Sequence, residues 1–376
     1  MKKNIVLFVL LFSIVTSSLY ASLNYKFDAF SLDPIYKEYF ADRARPDFSL
    51  SQINYYEGYP DRVLQDTHVR NTEENEERKF NVFKFDELIQ PENKFVALKI
   101  GETIALGRST FTFDNDLLSP IAFDISMQAL LQHFYRGSFD DNVSYDGIYF
   151  MGGTFRIGKV LSMRVGLHHY CSHYGDATLK QIAEAEIDSG FGDSNGEFGL
   201  TYKYVRMNDF SIGLSLDLTP NFRIYGELNM PKKGMSLRPD YFAPNWILRN
   251  GLPVNPDYPD SYQARIVNVG FEYSTLIFKN LGPTTIGYDL HLYEEGKIVY
   301  DHVNGGEAKY EEDEPWELEH NAKIAQELDK YISLEVAYHN GRSVMNSFFF
   351  QHTSTLTVGL RFNPDYTVNV FDTSKN

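Results

Sequence analysis

Hydrophobic and polar residues alternate in segment after segment of this chain. Ile121, Phe123, Ile125, Met127 and Leu131 alternate with Asp124, Ser126, Gln128 and Gln132, and Phe210, Ile212, Leu214 and Leu216 alternate with Ser211, Gly213, Ser215 and Asp217. The same holds for Phe222, Ile224 and Leu228 against Asn221, Arg223, Tyr225 and Glu227, and for Leu356, Val358, Leu360 and Phe362 against Thr355, Thr357, Gly359 and Arg361. A period of two puts successive side chains on opposite faces, so each segment predicts a strand with one apolar and one polar face. Strands are expected near 47–55, 94–106, 121–133, 145–157, 161–173, 201–217, 221–230, 262–274, 283–293, 315–327, 331–340 and 352–362. That makes about 12, an even number of the kind bacterial barrels use. The segment 315–327 fits a strand least well, because Glu317, Leu318, His320, Ile324 and Leu328 also suit a helix.

A soluble sandwich would turn the polar faces to solvent, whereas a membrane barrel would turn them into a wet lumen. The connections separate these cases. Short ones, Gly158-Lys159-Val160, Thr219-Pro220 and Leu328-Asp329, alternate with long polar ones at 56–93, 174–200, 231–261 and 294–314, so the long loops all fall at one end. This predicts an all-β, antiparallel transmembrane β-barrel of about 12 strands with long extracellular loops and periplasmic termini. A soluble periplasmic β protein is the alternative. Residues 177–187 have helical composition and Met230 to Pro259 is proline-rich, so both are expected as loop caps, while Asn71 to Lys79 is a solvated charge run. Arg164, Arg223, Arg265, Asp124, Asp217, Glu227, Asp289, His291 and Glu335 fall on the polar faces with mixed sign, which predicts a hydrogen-bonded plug or else a narrow aqueous path.

Lys2 and Lys3 precede an apolar run, Ile5 to Val15, followed by small and polar residues up to Ala21. The run is too short to span a bilayer as a helix and reads as a cleavable signal peptide at 1–21, leaving 22–376 as one barrel domain with a short periplasmic C-terminal tail. The chain holds 26 Tyr and 29 Phe but 2 Trp, and its formal charge of −16 becomes −18 once Lys2 and Lys3 are removed. Such acidity argues against nucleic acid, so outer-membrane lipids are the expected partners. Cys171 is the sole cysteine, so no internal disulfide staples the chain, and an exposed thiol in an oxidising compartment is vulnerable unless protein or lipid covers it.

The run Leu161 to Tyr174 carries the candidate chemistry. Leu161, Met163, Val165 and Leu167 occupy one face, and the same register puts His169, Cys171 and His173 on that apolar face. Imidazoles and a thiol facing hydrocarbon are costly, which points to a lipid-facing active site, a local bulge or an interfacial girdle. In the catalytic reading His169 is the general base toward Cys171, or toward Ser172 if a bulge turns the strand, with His173 or Asp176 orienting the base and an acyl ester as substrate. Asp176 also suits the cap of a helix starting near Ala177. A metal site of His169, His173 and Asp176 lacks an evident fourth ligand, and nothing in the sequence indicates a cofactor, calcium included.

The segments 41–51, 167–176, 217–227 and 338–351 together resemble an uncharacterised family of exported bacterial proteins, domain of unknown function 1207, over nearly the whole mature chain. His169, Ser172, His173, Gly175 and Asp176 match its central signature, while Cys171 and Ala177 depart from it. The resemblance implies an envelope location and no particular activity. A second resemblance is to outer-membrane lipid hydrolases, the phospholipase A and lipid A deacylase barrels, which place a histidine two residues before a serine on the lipid-facing side of a strand. His169 and Cys171 have that spacing with a thiol in place of the hydroxyl, and His339-Asn340-Gly341-Arg342-Ser343 echoes part of another hydrolase motif on a different strand. The expected protein is therefore an outer-membrane β-barrel for which the sequence leaves open a lipid acyl-ester hydrolase acting on the outer leaflet, a structural or adhesive surface barrel and a narrow porin-like channel.

Overall fold

The computed structural model describes residues 23–58, 62–67, 79–84, 94–114, 117–137, 141–178, 201–202, 206–231, 265–293, 298–301, 307–310, 316–348, 352–364 and 367–372. In order, its strands are β1 (Asn24–Ser31), β2 (Phe48–Glu57), β3 (Arg62–Thr67), β4 (Lys79–Lys84), β5 (Lys94–Thr112), β6 (Ile121–Arg136), β7 (Asn142–Ile157), β8 (Leu161–Tyr174), β9 (Thr201–Tyr202), β10 (Arg206–Thr219), β11 (Phe222–Pro231), β12 (Ile266–Thr275), β13 (Thr284–Tyr293), β14 (Ile298–Asp301), β15 (Glu307–Tyr310), β16 (Glu317–Glu327), β17 (Ile332–Arg342), β18 (His352–Phe362) and β19 (Thr367–Asp372). Twelve of them close an antiparallel ring in the order β5, β6, β7, β8, β10, β11, β12, β13, β16, β17, β18, β2 and back to β5. These are the segments whose alternation predicts strands, and 315–327 forms β16 rather than a helix. The signal peptide, most of the charge run at 71–79, the helical stretch beyond Thr178 and most of 231–261 lie outside the described residues.

Parity of the side chains sorts the wall. Outward positions such as Ile125, Val165, Leu214, Val269, Ile324 and Leu334 are each roughly two-fifths exposed around the ring, while their sequence neighbours Asp124, Arg164, Ser215, Asn268, Ala325 and Ser333 are buried toward the lumen. Outward aromatic residues mark both rims, with Phe123, Phe155, Tyr273 and Phe362 below and Tyr56, Tyr145 and Trp316 above.

The lumen is filled by chain that the alternation does not flag. β1 pairs with the lower part of β5, from Asn24 opposite Thr112 to Ser31 opposite Ala105, and β19 pairs with β1 in turn. The C-terminal tail is therefore partly a strand. Between β1 and β2, residues 32–47 enter the barrel. The Tyr36 and Tyr39 hydroxyls are 2.7 Å apart, Tyr39 donates to Glu227 at 2.8 Å, and its ring stacks on Tyr225 at 4.1 Å. Arg164 donates to Glu227 at 2.6 Å and to Glu38 at 3.0 Å. Arg223 donates to the carbonyls of Lys37 and Glu38, and the Phe40 amide donates to Glu272 at 2.6 Å.

From the outer end, the stretch after β17 folds inward. Val344 and Met345 join Tyr55, Phe95, Phe134 and Tyr174 in an apolar cluster. Asn346 accepts a 2.9 Å bond from Arg43, and Arg43 also donates to Glu319 at 2.9 Å, so the two inserted segments meet inside the barrel. A cavity of about 80 Å³ remains beside them, lined in part by Asp47, Lys99, Lys323 and Glu335.

The luminal polar residues thus hydrogen-bond an inserted segment as well as one another. Two of them sit apart from that network: Asp217 pairs with Arg156 at 3.0 Å, and Arg265 is exposed just before β12 rather than luminal, being in phase with the outward Val269 and Phe271 and not with the buried Asn268.

Leu214→Arg is expected to lower the folding free energy in lipid vesicles by about 2–4 kcal/mol, measured by urea unfolding; an unchanged value would place Leu214 away from hydrocarbon. Glu227→Ala, which removes the more deeply buried of the two carboxylates paired with Arg164, is expected to cost about 3–5 kcal/mol in the same measurement. In planar bilayers the intact barrel is expected to conduct little, and deleting residues 35–43 to raise the conductance; equal conductance of the two would mean that the segment does not block the path.

Candidate lipid-facing active site

β8 lies between β7 and β10 in continuous register, with Tyr149 opposite His169, Gly147 opposite Cys171 and Tyr145 opposite His173 on one side, and Asn208 opposite His169 and Arg206 opposite Cys171 on the other. Neither ladder contains a bulge. The odd positions from Leu161 to His173 therefore keep one direction, outward, and the even ones from Ser162 to Tyr174 face the lumen. His169, Cys171 and His173 stand on the lipid side near the outer rim.

Ser172 is a correction to the sequence reading. With no bulge to turn it, it stays in the lumen, where its hydroxyl bonds to Asp146 and to the Ser347 hydroxyl at 2.7 Å. His169, on the other face, is not its base. Asp176 lies beyond the end of β8, exposed, as the first residue of a helical turn over 176–178, which removes it from the strand face. The ring of His173 stacks on Tyr145 at 4.9 Å, and Tyr145 stacks on His133 at 5.8 Å, forming a row across three strands that belongs to the aromatic rim.

The group that meets His169 is Asn208. Its Oδ1 lies 2.8 Å from His169 Nδ1, and Asn208 is itself buried by its surroundings on the outward side. An amide oxygen only accepts, so Nδ1 carries the proton and Nε2 is left with its lone pair. The signal for Asn208 was present in the sequence: it shares parity with Phe210, Ile212 and Leu214, and a polar side chain in that phase is the same anomaly that marks His169. The partner of His169 comes from across the ladder, on β10, and not from along β8.

Other histidines provide a contrast. His320 also faces outward, but its Nδ1 is 2.6 Å from the Tyr288 hydroxyl. His339, in the run that echoes a hydrolase motif, points inward with Nδ1 2.8 Å from Asn321 Oδ1 and Nε2 2.7 Å from the Arg342 carbonyl, so both ring nitrogens are used structurally. His169 differs in having an acceptor on Nδ1 and a thiol two residues further along the same face. Same-face neighbours on a strand lie roughly 6–7 Å apart at Cα, within reach of one another through modest rotamer changes. Among the described residues no group of three or more His, Cys, Asp or Glu side chains is arranged to hold a metal ion.

Comparison with protein-family models returns no match, so the resemblance to domain of unknown function 1207 gains no support, and comparison with characterised proteins returns none either. Solved structures with a similar course include outer membrane phospholipase A from Escherichia coli, at 9% identity and a TM-score of 0.43 over 85% of this chain and 93% of that one. The Salmonella typhi outer membrane phospholipase dimer with bound calcium gives 9% identity and a TM-score of 0.45 over 89% and 94%. KdgM porin gives 11% identity and a TM-score of 0.33 over 72% and 96%. These neighbours differ in activity and choose none for this chain. The closed ring, its apolar exterior and its rims of aromatic residues define the protein as an outer-membrane β-barrel.

If Cys171 faces lipid as the register dictates, a membrane-permeant maleimide is expected to label it in intact membranes and a bulky charged one to fail. Equal labelling by both would put the thiol in water.

Proposed function

We propose that this barrel is an acyl-lipid hydrolase of the outer leaflet, with Cys171 as nucleophile, His169 as general base and Asn208 as the residue that orients the base. The observation that carries the reading is the 2.8 Å contact between His169 Nδ1 and Asn208 Oδ1 on the same outward face as Cys171. A base held by a third group, next to a nucleophile, is the arrangement that activates a hydroxyl or thiol for acyl transfer. Its position suits a lipid ester. Below the thiol the surface is apolar, with Leu167, Val165 and Met151 exposed, and above it lie the rings of Tyr145 and His173, so an ester between acyl chain and headgroup reaches this level without leaving the membrane.

The reaction follows from these roles. His169 Nε2 takes the proton of Cys171, and the thiolate attacks the ester carbonyl carbon, forming the Sγ–C bond while the π pair moves to oxygen. When that pair returns, the C–O bond to the alcohol breaks, and the imidazolium gives its proton to the departing oxygen. Water then attacks the thioester, losing a proton to His169; the C–S bond breaks, the proton returns to sulfur, and a fatty acid leaves. Asn208 keeps the ring in the tautomer that both half-reactions need.

The purified, folded protein, incubated with outer-membrane lipids with and without calcium and reductant, is expected to release fatty acid. His169→Ala is expected to lower turnover by roughly 100-fold or more, Cys171→Ala to abolish it, and Asn208→Ala to lower it with barrel assembly intact. Identical lipid profiles for the wild type and Cys171→Ala would discard the hydrolase in favour of a structural or adhesive barrel, and a conductance through the intact lumen would favour a narrow channel.

A further inference from the structure

We infer that Tyr149 is the oxyanion donor of this site, its phenolic hydroxyl receiving the charge that develops on the ester carbonyl oxygen; the inference rests on the hydrolase reading above. Acyl transfer concentrates negative charge on one oxygen, and a donor aimed at that oxygen is commonly the largest single contribution to rate. In many folds the donors are backbone amides beside the nucleophile. Here Tyr170 and Cys171 lie within the ladders to both β7 and β10, so their amides are committed to the wall of the barrel. A membrane strand cannot release them cheaply, because no water replaces the lost bonds. The donor must be a side chain on the outward face.

Tyr149 fits that requirement. It stands opposite His169 on β7, with the rings 5.9 Å apart, and it is two-fifths exposed. Its ring leans toward Cys171 across Gly147. A Cβ placed on Gly147 would lie 3.0 Å from Cys171 Sγ, 3.1 Å from Tyr149 Cε2 and 3.2 Å from the Tyr149 hydroxyl oxygen. The thiol and the phenol therefore converge on one small volume, and the absence of a side chain at Gly147 keeps it open. The hydroxyl has no hydrogen-bond partner among the described residues, so it is available to a ligand. Of the other outward donors among the described side chains nearby, His169 spends Nδ1 on Asn208, and His173 is turned to its stack with Tyr145. During attack the carbonyl π pair moves to oxygen, which accepts the Tyr149 O–H bond; the phenol keeps its proton throughout, and the pair returns when the C–O bond breaks.

The test uses the full-length protein folded into phosphatidylethanolamine vesicles, with heat-modifiable migration on gels as the check of folding. Fatty-acid release and the acyl-thioester on Cys171, read by mass spectrometry after a single turnover, are compared for the wild type, Cys171→Ala, Tyr149→Phe, Gly147→Ala and His173→Phe. Tyr149→Phe is isosteric and is expected to lower kcat by about 100- to 1,000-fold with KM little changed, and to slow formation of the thioester. Gly147→Ala, whose methyl would crowd thiol and phenol apart, is expected to do the same if it folds. His173→Phe is expected to stay near the wild type. Cys171-dependent turnover that survives Tyr149→Phe, or is lost in His173→Phe instead, would overturn the assignment alone. No Cys171-dependent release in the wild type would overturn the hydrolase reading and this inference with it.

Discussion

The closure of the sheet through β5 is the constraint on which the rest of this structure depends. In hydrocarbon each unsatisfied backbone N–H or C=O costs several kcal/mol, so a sheet survives there only without edges. β5 meets this demand along its length on one side and in two stretches on the other. It pairs along its length with β6, and its upper residues from Lys94 to Lys99 pair with β2, the strand that completes the ring. Below that point β2 has begun too late to cover it, and β1 takes over from Ala105 to Thr112. The strand nearest the N-terminus is thus the continuation of the closing seam at the periplasmic end, and β19 covers it in turn.

Closure also fixes what the interior must contain. A ring of this size carrying Arg164, Arg223, Glu227, Asp289 and Glu319 on its inner wall gathers charges that need partners. The segment between β1 and β2 supplies many of them, through its own side chains at Glu38, Tyr39 and Arg43 and through its backbone at Ile35, Lys37 and Phe40. Room for it is made in the wall. A Cβ on Gly213 would come within 2.9 Å of the Tyr36 and Tyr39 hydroxyl oxygens, and one on Gly287 within 2.6 Å of Phe40. The filled lumen turns attention to the outer surface as the place for chemistry.

On that surface the same constraint shapes the site. Because the wall consumes the backbone, the chemistry proposed for this surface has to be carried by side chains, and Tyr149, His169, Cys171 and Asn208 are brought to one face by register across β7, β8 and β10 rather than by a loop. Strands hold such groups rigidly, since each is flanked by a hydrogen-bonded neighbour on either side. The cost is desolvation of polar groups at a lipid surface, which is small near the rim and grows with depth. His169 and Cys171 lie close to the outer end of β8, where that cost is lowest.

The alternation of the chain by itself determined the ring: the strands, their number, the side of the wall that most residues face, with Arg265 an exception, and the shared parity of His169, Cys171 and His173 with the apolar face, whose outward direction at that level the unbroken ladders decided. It could do so because in a two-sided wall parity is a local property, readable from neighbours two positions apart. Tertiary structure alone decided the rest. Asn208 meets His169 only because β10 lies beside β8 in one register out of several that parity would allow, and the sequence separation of the two residues carries no trace of it. The insertion of residues 32–47 was hidden for a different reason: that stretch has no period to read, and its contacts are single hydrogen bonds to many strands. Ser172 shows the converse. Its neighbours in sequence suggested a nucleophile, but a strand without a bulge keeps adjacent residues on opposite sides of a membrane wall, and no side-chain rotation brings them together.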